Sequence, residues 1–273
     1  MTAISLKTPV SYYGGKQQLV PRLLPLLPTH KTYCEPFFGG GALFFAKEPS
    51  EVEVINDINR QVVNFYKVAK RKFKELKSEV DLTLDAEEQY REARKIYFDN
   101  EESNDVLRAW ALFTLSQQTF LHSLENSWAF SKTRNVARSF ANKKEAFDER
   151  YVKRLENTQI FCRDAVRVLD NCDSAETFFF LDPPYVNTHC GHYEGYTEED
   201  FERLLKSCAK IEGKFLMTNF PNARVKKYAE DNGWYQIEFE MHKSASGKEG
   251  ERKIEVFTMN FTPSKEMLSR LPK

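Results

Sequence analysis

The chain has 273 residues, of which 41% are hydrophobic and 29% are charged, and its formal net charge is zero. This length suits one large domain, or a core domain with a smaller inserted one. Zero net charge excludes a uniformly basic protein, so any contact with nucleic acid has to be made by a local basic surface.

Cysteine usage and hydropathy indicate a reduced, cytoplasmic environment. The cysteines are odd in number and lack paired C-x-x-C spacing, which favours free thiols. No apolar signal-peptide core follows the first residues, and no 18-residue apolar run occurs, so we expect neither a signal peptide nor a membrane span.

The first part of the chain has the pattern of an alternating α/β fold. "TYCEP" at 32–36 predicts a strand, "FFGGGALFFA" a glycine turn entering a short helix, and "EVEVINDIN" a second strand that closes on Asn56 and Asp57. Helical spacing then runs from Ile58 to about Lys77. This order is the opening of a doubly wound sheet.

The stretch 70–155 interrupts that pattern, because it is strongly charged and mostly helical. We interpret it as an insertion into a sheet domain formed by 1–69 and 156–273. Its part 131–154 contains eight basic and three acidic residues. A basic surface for nucleic acid and an ordinary solvated helix face are both compatible with this charge.

From residue 158 the α/β pattern returns. "TQIFCRD" and "AETFFFLD" predict strands, and "TEEDFERLLKSC" predicts a helix with Thr197 at its N-cap and Asp200 three residues later. A strand "KFLMTN" and a helix "ARVKKYAEDNG" follow. The last two strands, "WYQIEFEMH" and "RKIEVFTMNF", are expected to pair as a hairpin.

Acidic side chains stand at the ends of several predicted strands. Glu35, Asp57 and Asp182 close three of them, and Asp164 is a fourth candidate. Ligands of open α/β sheets bind at the carboxyl ends of the strands, so these acids predict a site there. Asp57 suits the two hydroxyls of a ribose; the alternative is that Asp57 caps the following helix.

The glycine segments do not match the common phosphate-binding patterns. "GGGALFF" is not G-x-G-x-x-G, because Phe44 occupies the last glycine position, and "YYGGKQQ" lacks the Ser or Thr that follows the lysine of a P-loop. A cofactor with an adenosine but without a phosphate fits these segments better.

The tetrapeptide "DPPY" gives the most specific chemical signal. Pro183 and Pro184 have fixed φ angles and no N–H group, so the Asp182 carboxylate and the Pro183 carbonyl form a double acceptor. A double acceptor suits an exocyclic amino group, and the ring of Tyr185 suits stacking on a base. The alternative is a plain proline stop after a buried strand.

Taken together, these motifs resemble the Dam-type DNA adenine methyltransferases, over most of the chain and in the family's order. "YYGGKQQLVPRLLPLLP" is similar to the family's N-terminal glycine–lysine segment, "EPFFGGGALF" to its cofactor loop, "NDIN" to its ribose-binding acid and "LDPPY" to its catalytic tetrapeptide. The likeness is weakest over 70–155. It implies a Rossmann-like class I methyltransferase sheet, mostly parallel with a C-terminal antiparallel hairpin strand, and an inserted helical DNA-recognition region.

The resemblance also implies a function and site residues. The reaction is methyl transfer from S-adenosylmethionine to the exocyclic amine of an adenine flipped out of double-stranded DNA. Asp182, Pro183, Pro184 and Tyr185 would hold the adenine. The residues expected to contact the cofactor are Tyr12, Lys16, Glu35, Phe37, Gly39, Gly41, Asp57, Asp164 and Asp182.

Further residues are expected at the DNA. Asn126, Arg134 and Arg138 in the stretch 116–144 are candidates for reading bases or holding phosphates. Tyr193 and Tyr196, in the loop after the tetrapeptide, are expected near the flipped base. The histidines and cysteine of that loop match no usual zinc spacing, so no metal is expected.

Two rival functions stay open. The same fold, with an N-P-P-Y tetrapeptide, serves methylation of RNA bases and of protein amides, and a catalytically silent DNA-binding homologue is the second rival. Asp182, Lys16 and Asp57 favour an active DNA adenine enzyme. We expect a monomer in a prokaryotic or phage-infected cytoplasm, with a cognate restriction endonuclease as an open partner.

Overall fold

The computed structural model describes residues 6–11, 14–99, 104–120, 124–185, 196–242 and 252–272. The strands are β1 Thr32–Glu35, β2 Val52–Asn56, β3 Thr158–Phe161, β4 Thr177–Leu181, β5 Lys214–Asn219, β6 Tyr235–His242 and β7 Arg252–Met259. The helices are α1 Val20–Leu23, α2 Ala42–Ala46, α3 Arg60–Arg71, α4 Phe73–Leu82, α5 Glu87–Asp99, α6 Asp105–Gln118, α7 Val136–Ala146, α8 Glu149–Leu155, α9 Ala165–Cys172, α10 Glu198–Cys208, α11 Ala223–Asn232 and α12 Lys265–Ser269.

The strands form a seven-stranded sheet in the order β3-β2-β1-β4-β5-β7-β6. β1 pairs in parallel with β2 and β4, and β4 pairs in parallel with β5. β7 is antiparallel to both β5 and β6. The predicted mostly parallel, Rossmann-like sheet with a C-terminal antiparallel hairpin is therefore confirmed.

β4 is the most deeply buried strand of the sheet centre. All five of its residues are buried, because it lies between β1 and β5 and is covered on both faces. A strand in that position needs apolar side chains on both sides, which explains the unbroken run Phe178–Leu181 in place of alternation. The run ends where the strand leaves the sheet, at Asp182.

The single helix expected from Ile58 to about Lys77 is two helices, so that expectation was wrong in detail. α3 begins at Arg60, since Asn59 is the N-cap and its side chain accepts a hydrogen bond from the amide of Gln61. α3 and α4 meet at Lys72, whose backbone leaves the helical region at φ −132° and ψ 39°. The Lys72 ammonium pairs at 2.9 Å with Asp105, the first residue of α6.

By its packing the chain divides into two compact units. The first comprises Met1–Val20, Phe38–Pro49 and Asn56–Cys162, and the second comprises Pro21–Phe37, Ser50–Ile55 and Arg163–Lys273. This grouping reflects packing alone. The limits of a target-recognition region at 70–155 therefore remain a prediction.

Helix α6 forms the centre of the first unit. It is buried on nearly all sides and packs against α3, α4, α5 and α7. One internal hydrogen bond, 2.6 Å long, runs from the indole of Trp110 to the hydroxyl of Thr83. Helical residues therefore dominate this unit, as the charged, non-alternating sequence predicts.

The second unit contains the strongest helix signal of the sequence, α10. Thr197 accepts a hydrogen bond from the Asp200 amide while the Asp200 carboxylate accepts one from the Thr197 amide, which is a capping box. The predicted N-cap is thus confirmed. Among the described residues no helix is long and apolar enough to cross a membrane.

Truncating Phe179 should destabilise the sheet strongly. Phe179 is fully buried in β4, so Phe179→Ala should lower the free energy of unfolding by about 3–5 kcal/mol in urea titrations, through lost burial and a residual cavity. The matched control is Phe130→Ala, since Phe130 is 67% exposed. A loss at Phe179 no larger than at Phe130 would contradict the central position of β4.

Candidate active site

The glycine loop after β1 is tied to the end of β2 by a carboxylate. The amide of Gly39 donates to Oδ2 of Asp57 at 2.8 Å, and the Gly39 carbonyl accepts from the hydroxyl of Tyr66 at 3.1 Å. Gly39 has φ +47°, a left-handed conformation that glycine adopts without strain. Both the N–H and the C=O group of Gly39 are therefore held. Apart from its chain neighbours, no described residue has an atom within 4 Å of the position that a Cβ would take there, which leaves room for close approach of a ligand.

Asp57 is a buried acid, and the hydrogen bonds described for it come from backbone amides and not from a basic side chain. Besides Gly39, it accepts from the amide of Asn59 through Oδ1 at 2.8 Å. Burial raises its pKa to about 6, although these two amides lower it. Each carboxylate oxygen keeps further lone-pair capacity. The helix-cap alternative is wrong, because Asn59 and not Asp57 caps α3.

Gly41 and Lys16 are two further predicted cofactor residues in the first unit. Gly41 is the N-cap of α2 at φ +66°, and a Cβ there would overlap the ring of Phe38. Lys16 is buried, and its ammonium donates to the Gly14 carbonyl at 2.9 Å. Tyr12 lies outside the described residues.

Asp182 follows β4 directly and is held by the neighbouring strand. Leu181 pairs with Met217, so the next residues, Asp182 and Thr218, lie side by side. The Thr218 hydroxyl donates to Oδ1 of Asp182 at 2.8 Å. This bond holds the carboxylate beside the end of β5. The sheet register thus places the first acceptor of the predicted pair.

Tyr185 is fixed at two points. Its hydroxyl donates to Oε2 of Glu255 at 2.9 Å, and its ring packs edge-to-face on Phe220 with centroids 4.3 Å apart. Burial, together with the carboxylates of Asp182 and Glu255, raises the pKa of Tyr185 well above its usual value. The hydroxyl therefore stays protonated and donates.

A small cavity lies beside this ring. Its volume is about 150 Å³, and Pro184, Tyr185, Asn219, Phe220 and Pro221 are among the residues that line it. Asn219 is 4% exposed and its Oδ1 atom has no hydrogen-bond partner. Two proline rings and three aromatic rings, the third being that of Phe201, contribute most of the walls, which suits a flat ring.

Three other predicted residues belong to the second unit. Phe37 and Tyr196 meet edge-to-face at 6.1 Å, and the buried Tyr196 hydroxyl has no hydrogen-bond partner among the described residues. Burial raises the pKa of Tyr196. Glu35 is buried and accepts from the Tyr33 hydroxyl at 2.6 Å.

The sequence position of Asp164 suggested the end of a strand, but β3 already ends at Phe161. Asp164 is the N-cap of α9, where its side chain accepts from the amide of Arg167, and it pairs with the guanidinium of Arg203 at 3.2 Å. Asp164 therefore has structural partners of its own. Its contact with a cofactor stays a prediction.

The candidate DNA residues differ in their availability. Arg134 and Arg138 are exposed, and their guanidinium groups make no ion pair within the described ranges. By contrast, Lys144 donates to the Thr83 carbonyl at 2.6 Å. The amide nitrogen of Asn126 donates to the Phe120 carbonyl at 3.0 Å, so that donor is already used inside the protein.

The loop after the tetrapeptide is largely outside the described residues, and Tyr193 with the histidines and cysteine of that loop falls there. Within the residues that are described, no group of three or more histidine, cysteine or acidic side chains is placed to hold a metal.

Sequence reasoning missed Thr218, Asn219 and Glu255. The first two end the strand "KFLMTN", and a polar pair at the carboxyl end of a buried strand was a usable signal of the same kind as Asp182. Glu255 was also detectable, because it is the one acid inside "KIEVFTM" and its neighbours are apolar. Its link to Tyr185 needed the strand pairing to be known.

The hydrogen-bond acceptor and the glycine backbone of the first unit fit an adenosine-type cofactor. A buried carboxylate with spare acceptor capacity matches a ribose with two hydroxyl donors, and the open glycine backbone permits close approach. Burial of an acid without a paired cation is typical of a ligand site.

Comparison with known proteins gives the family. Residues 12–245 match the family model described as D12 class N6 adenine-specific DNA methyltransferase. The chain is 30% identical over 253 residues to "Type II methyltransferase M.MjaIII" of Methanocaldococcus jannaschii, covering 80% of this chain and 86% of that protein. It is 24% identical to "Type II methyltransferase M1.LlaDCHI" of Lactococcus lactis subsp. cremoris, covering 94% and 96%.

Two further similarities are more limited. The "DNA N-6-adenine-methyltransferase" of Escherichia phage P1 is 24% identical over 81% of this chain and 31% of that protein. Among solved structures, an rRNA methylase from Streptococcus thermophilus matches 89% of this chain and 93% of that chain at 6% identity, with a TM-score of 0.35. That score is too low to support an argument.

The matched residues include the glycine loop after β1, Asp57 and the tetrapeptide Asp182–Tyr185. The chain belongs to the D12 class N6 adenine-specific DNA methyltransferases.

Proposed function

We propose that this chain transfers a methyl group from S-adenosylmethionine to the exocyclic amine of an adenine flipped out of double-stranded DNA, at a specific site. The loop Asp182–Tyr185 is the observation that carries the proposal. It joins a carboxylate held by Thr218 to an aromatic ring held by Glu255 and Phe220. This is a double acceptor beside a stacking surface, which an amino-bearing base requires.

The cofactor contacts are assigned residue by residue. S-adenosylmethionine, when bound, supplies a methyl group activated by its sulfonium. Asp57 accepts the ribose hydroxyls and Gly39 and Gly41 keep the backbone close to the ligand. Lys16 contacts the carboxylate end. We also assign cofactor contacts to Tyr12, Glu35, Phe37, Asp164 and Asp182, on the family pattern.

The adenine is held by the two acceptors of the tetrapeptide. A paired base cannot present its amine for in-line transfer, so it leaves the stack at a cost of a few kcal/mol. Asp182 and the Pro183 carbonyl accept its two N–H bonds, which aims the nitrogen lone pair. Stacking on Tyr185 adds about 1–3 kcal/mol.

Positioning supplies most of the rate enhancement in this scheme. Holding the amine in reactive geometry is worth about 7–11 kcal/mol in well-oriented systems. The amine needs no strong base before attack. After transfer the surplus proton leaves by way of Asp182, the acceptor already bonded to it.

DNA contact is assigned to the inserted region 70–155. Arg134 and Arg138 are exposed and without ion pairs in the part of the chain that is described, which leaves them free for phosphates or guanines. Asn126 and the loop tyrosines Tyr193 and Tyr196 are proposed near the bases. The relatives named modification methylases make a cognate restriction endonuclease a natural partner, and such a pair acts in the cytoplasm.

Expression in a methylation-free bacterial host tests the function as a whole. Direct sequencing of host DNA should find methyladenine at one recurring sequence. Purified protein offered duplex DNA, RNA and a glutamine peptide side by side should methylate only the first. Methyl incorporation into RNA or peptide instead would contradict the assignment.

Asp182→Ala should abolish methyl transfer because it removes one of the two acceptors that hold the amine. The measurement is incorporation of tritiated methyl groups into duplex DNA, with cofactor affinity determined by calorimetry. Asp182→Asn keeps one acceptor oxygen and should retain part of the activity. Full activity in Asp182→Ala would remove Asp182 from the catalytic site.

Asp57→Ala should weaken cofactor binding by about ten- to a hundredfold, because hydrogen bonds to a charged group are lost. The pKa of Asp57 in the ligand-free protein is raised to about 6. Below about that pH Asp57 is protonated and binding must release the proton, so wild-type affinity should fall as the pH is lowered.

Calorimetry over a pH series checks this sign. Asp57→Asn has no titrating group, and the comparison also cancels any titration of the cofactor itself. A wild-type profile identical in shape to that of Asp57→Asn would separate Asp57 from the cofactor.

Charge reversal of Arg134 and Arg138 should weaken DNA binding and flatten its dependence on salt. Each lost phosphate contact lowers the slope of log K against log salt by about 0.9. The control is Lys226→Glu with Lys227→Glu, exposed residues of α11, which change the net charge equally. Equal effects of the two pairs would mean that only overall charge matters.

A further inference from the structure

Glu255 occupies an unusual place for an acid. It lies in β7 between Ile254 and Val256 and is 5% exposed. Burying a carboxylate is costly unless it is well bonded. The antiparallel pairing of β5 with β7 does not need an acid at this position, since an apolar side chain would continue the core.

The strand register explains how Glu255 reaches the active site. β5 and β7 are antiparallel, with Thr218 opposite Phe257 and Asn219 opposite Val256. Opposite residues share a face, and so do residues two apart in a strand. Thr218 and Glu255 therefore project from the same face, at the end of β5 that adjoins the tetrapeptide.

The hydroxyl and the ring of Tyr185 contact different partners, and each contact restrains a different side-chain torsion. The hydroxyl lies on the ring axis, so its 2.9 Å bond to Glu255 fixes the direction of that axis. The edge-to-face contact with Phe220, at 4.3 Å, fixes rotation of the ring about the axis. Together they define the plane of the ring, and a stacking surface works only in a defined plane.

We propose that Glu255 is a positioning residue for methyl transfer, which acts by holding the ring of Tyr185 in the plane on which the flipped adenine stacks. This inference rests on the proposed function. It assigns the antiparallel strand β7 a role in the reaction through a residue that touches neither adenine nor cofactor. Phe220 completes the support from the end of β5.

Substitutions at Glu255 separate acceptor from packing. Glu255→Leu keeps the bulk and removes the acceptor, and it should lower the single-turnover methylation rate about tenfold or more, the range expected when a hydrogen bond to a charged group is lost. Glu255→Gln keeps an acceptor oxygen and should restore most of the rate. Cofactor affinity should be unchanged in both variants.

The matched control is Glu238→Leu on the neighbouring strand. Glu238 is exposed and lies opposite Val256. Its substitution therefore removes an acid from the β6–β7 hairpin without removing the acceptor of Tyr185. It should leave the rate unchanged. An equal loss in Glu238→Leu would mean that the hairpin is merely sensitive to substitution and would overturn the proposal.

A spectroscopic signal reports the ring directly. With 2-aminopurine at the target position, stacking on Tyr185 should quench the fluorescence of the flipped base, and Glu255→Leu should relieve the quenching. Tyr185→Phe removes the same hydrogen bond from the other side, together with the hydrogen bond between Tyr185 and Thr218, and should have at least the same effect. The double variant should be no worse than Tyr185→Phe alone, because Glu255→Leu then has no tyrosine hydroxyl left to lose.

Two results would overturn the proposal: wild-type rate and quenching in both Glu255→Leu and Tyr185→Phe, or effects that multiply in the double variant. If Glu255→Leu does not fold, Tyr185→Phe and Glu255→Gln still give the comparison. Failure of the proposed function is distinguishable, since the wild type would then not methylate DNA.

In that case the ring itself remains measurable. NMR of protein labelled with ring-¹³C tyrosine should show the Tyr185 signals moving in Glu255→Leu and not in Glu238→Leu, with Tyr185→Phe giving the assignment. Unmoved signals would show that Glu255 does not hold the ring.

Discussion

The pairing of β4 with β5 is the constraint on which the loop Asp182–Tyr185 depends. Because these strands are parallel and in fixed register, the residue that leaves β4 lies beside Thr218 of β5. A slip of one residue would turn every side chain of β4 to the opposite face. The phenylalanines of β4 are buried on both faces, and their close packing opposes such a slip. They thus also determine where the carboxylate of Asp182 lies.

The antiparallel strand β7 extends that arrangement. A parallel neighbour would bring its carboxyl end to the active edge, whereas β7 brings the interior of its sequence there. For this reason Glu255, a residue inside β7, reaches the hydroxyl of Tyr185. The result is a loop supported from two strands of opposite direction.

Much of the fold could be predicted because its signals are local. The run Phe178–Leu181, the capping residues Thr197 and Asp200 and the glycine turn each determine their own conformation. The break at Lys72 could not be predicted, since it accompanies an ion pair with Asp105, far along the chain. Spacing alone carried no trace of it.

The candidate site divides in the same way. Asp57 and the tetrapeptide have recognisable sequence patterns, and they were found. Thr218 and Glu255 have meaning only through strand register, which a single sequence leaves open. For Asp164 only the expected position at a strand end was wrong, because this residue caps α9 and pairs with Arg203.

The position of Asp57 has a consequence for turnover. Its proposed contacts go to the ribose, a part of the cofactor that methyl transfer leaves unchanged. A group that binds the substrate and the transition state equally well lowers KM without raising kcat. The demethylated product should therefore bind the carboxylate of Asp57 as well as S-adenosylmethionine does. Any difference in affinity between the two has to come from contacts made elsewhere, at the sulfur.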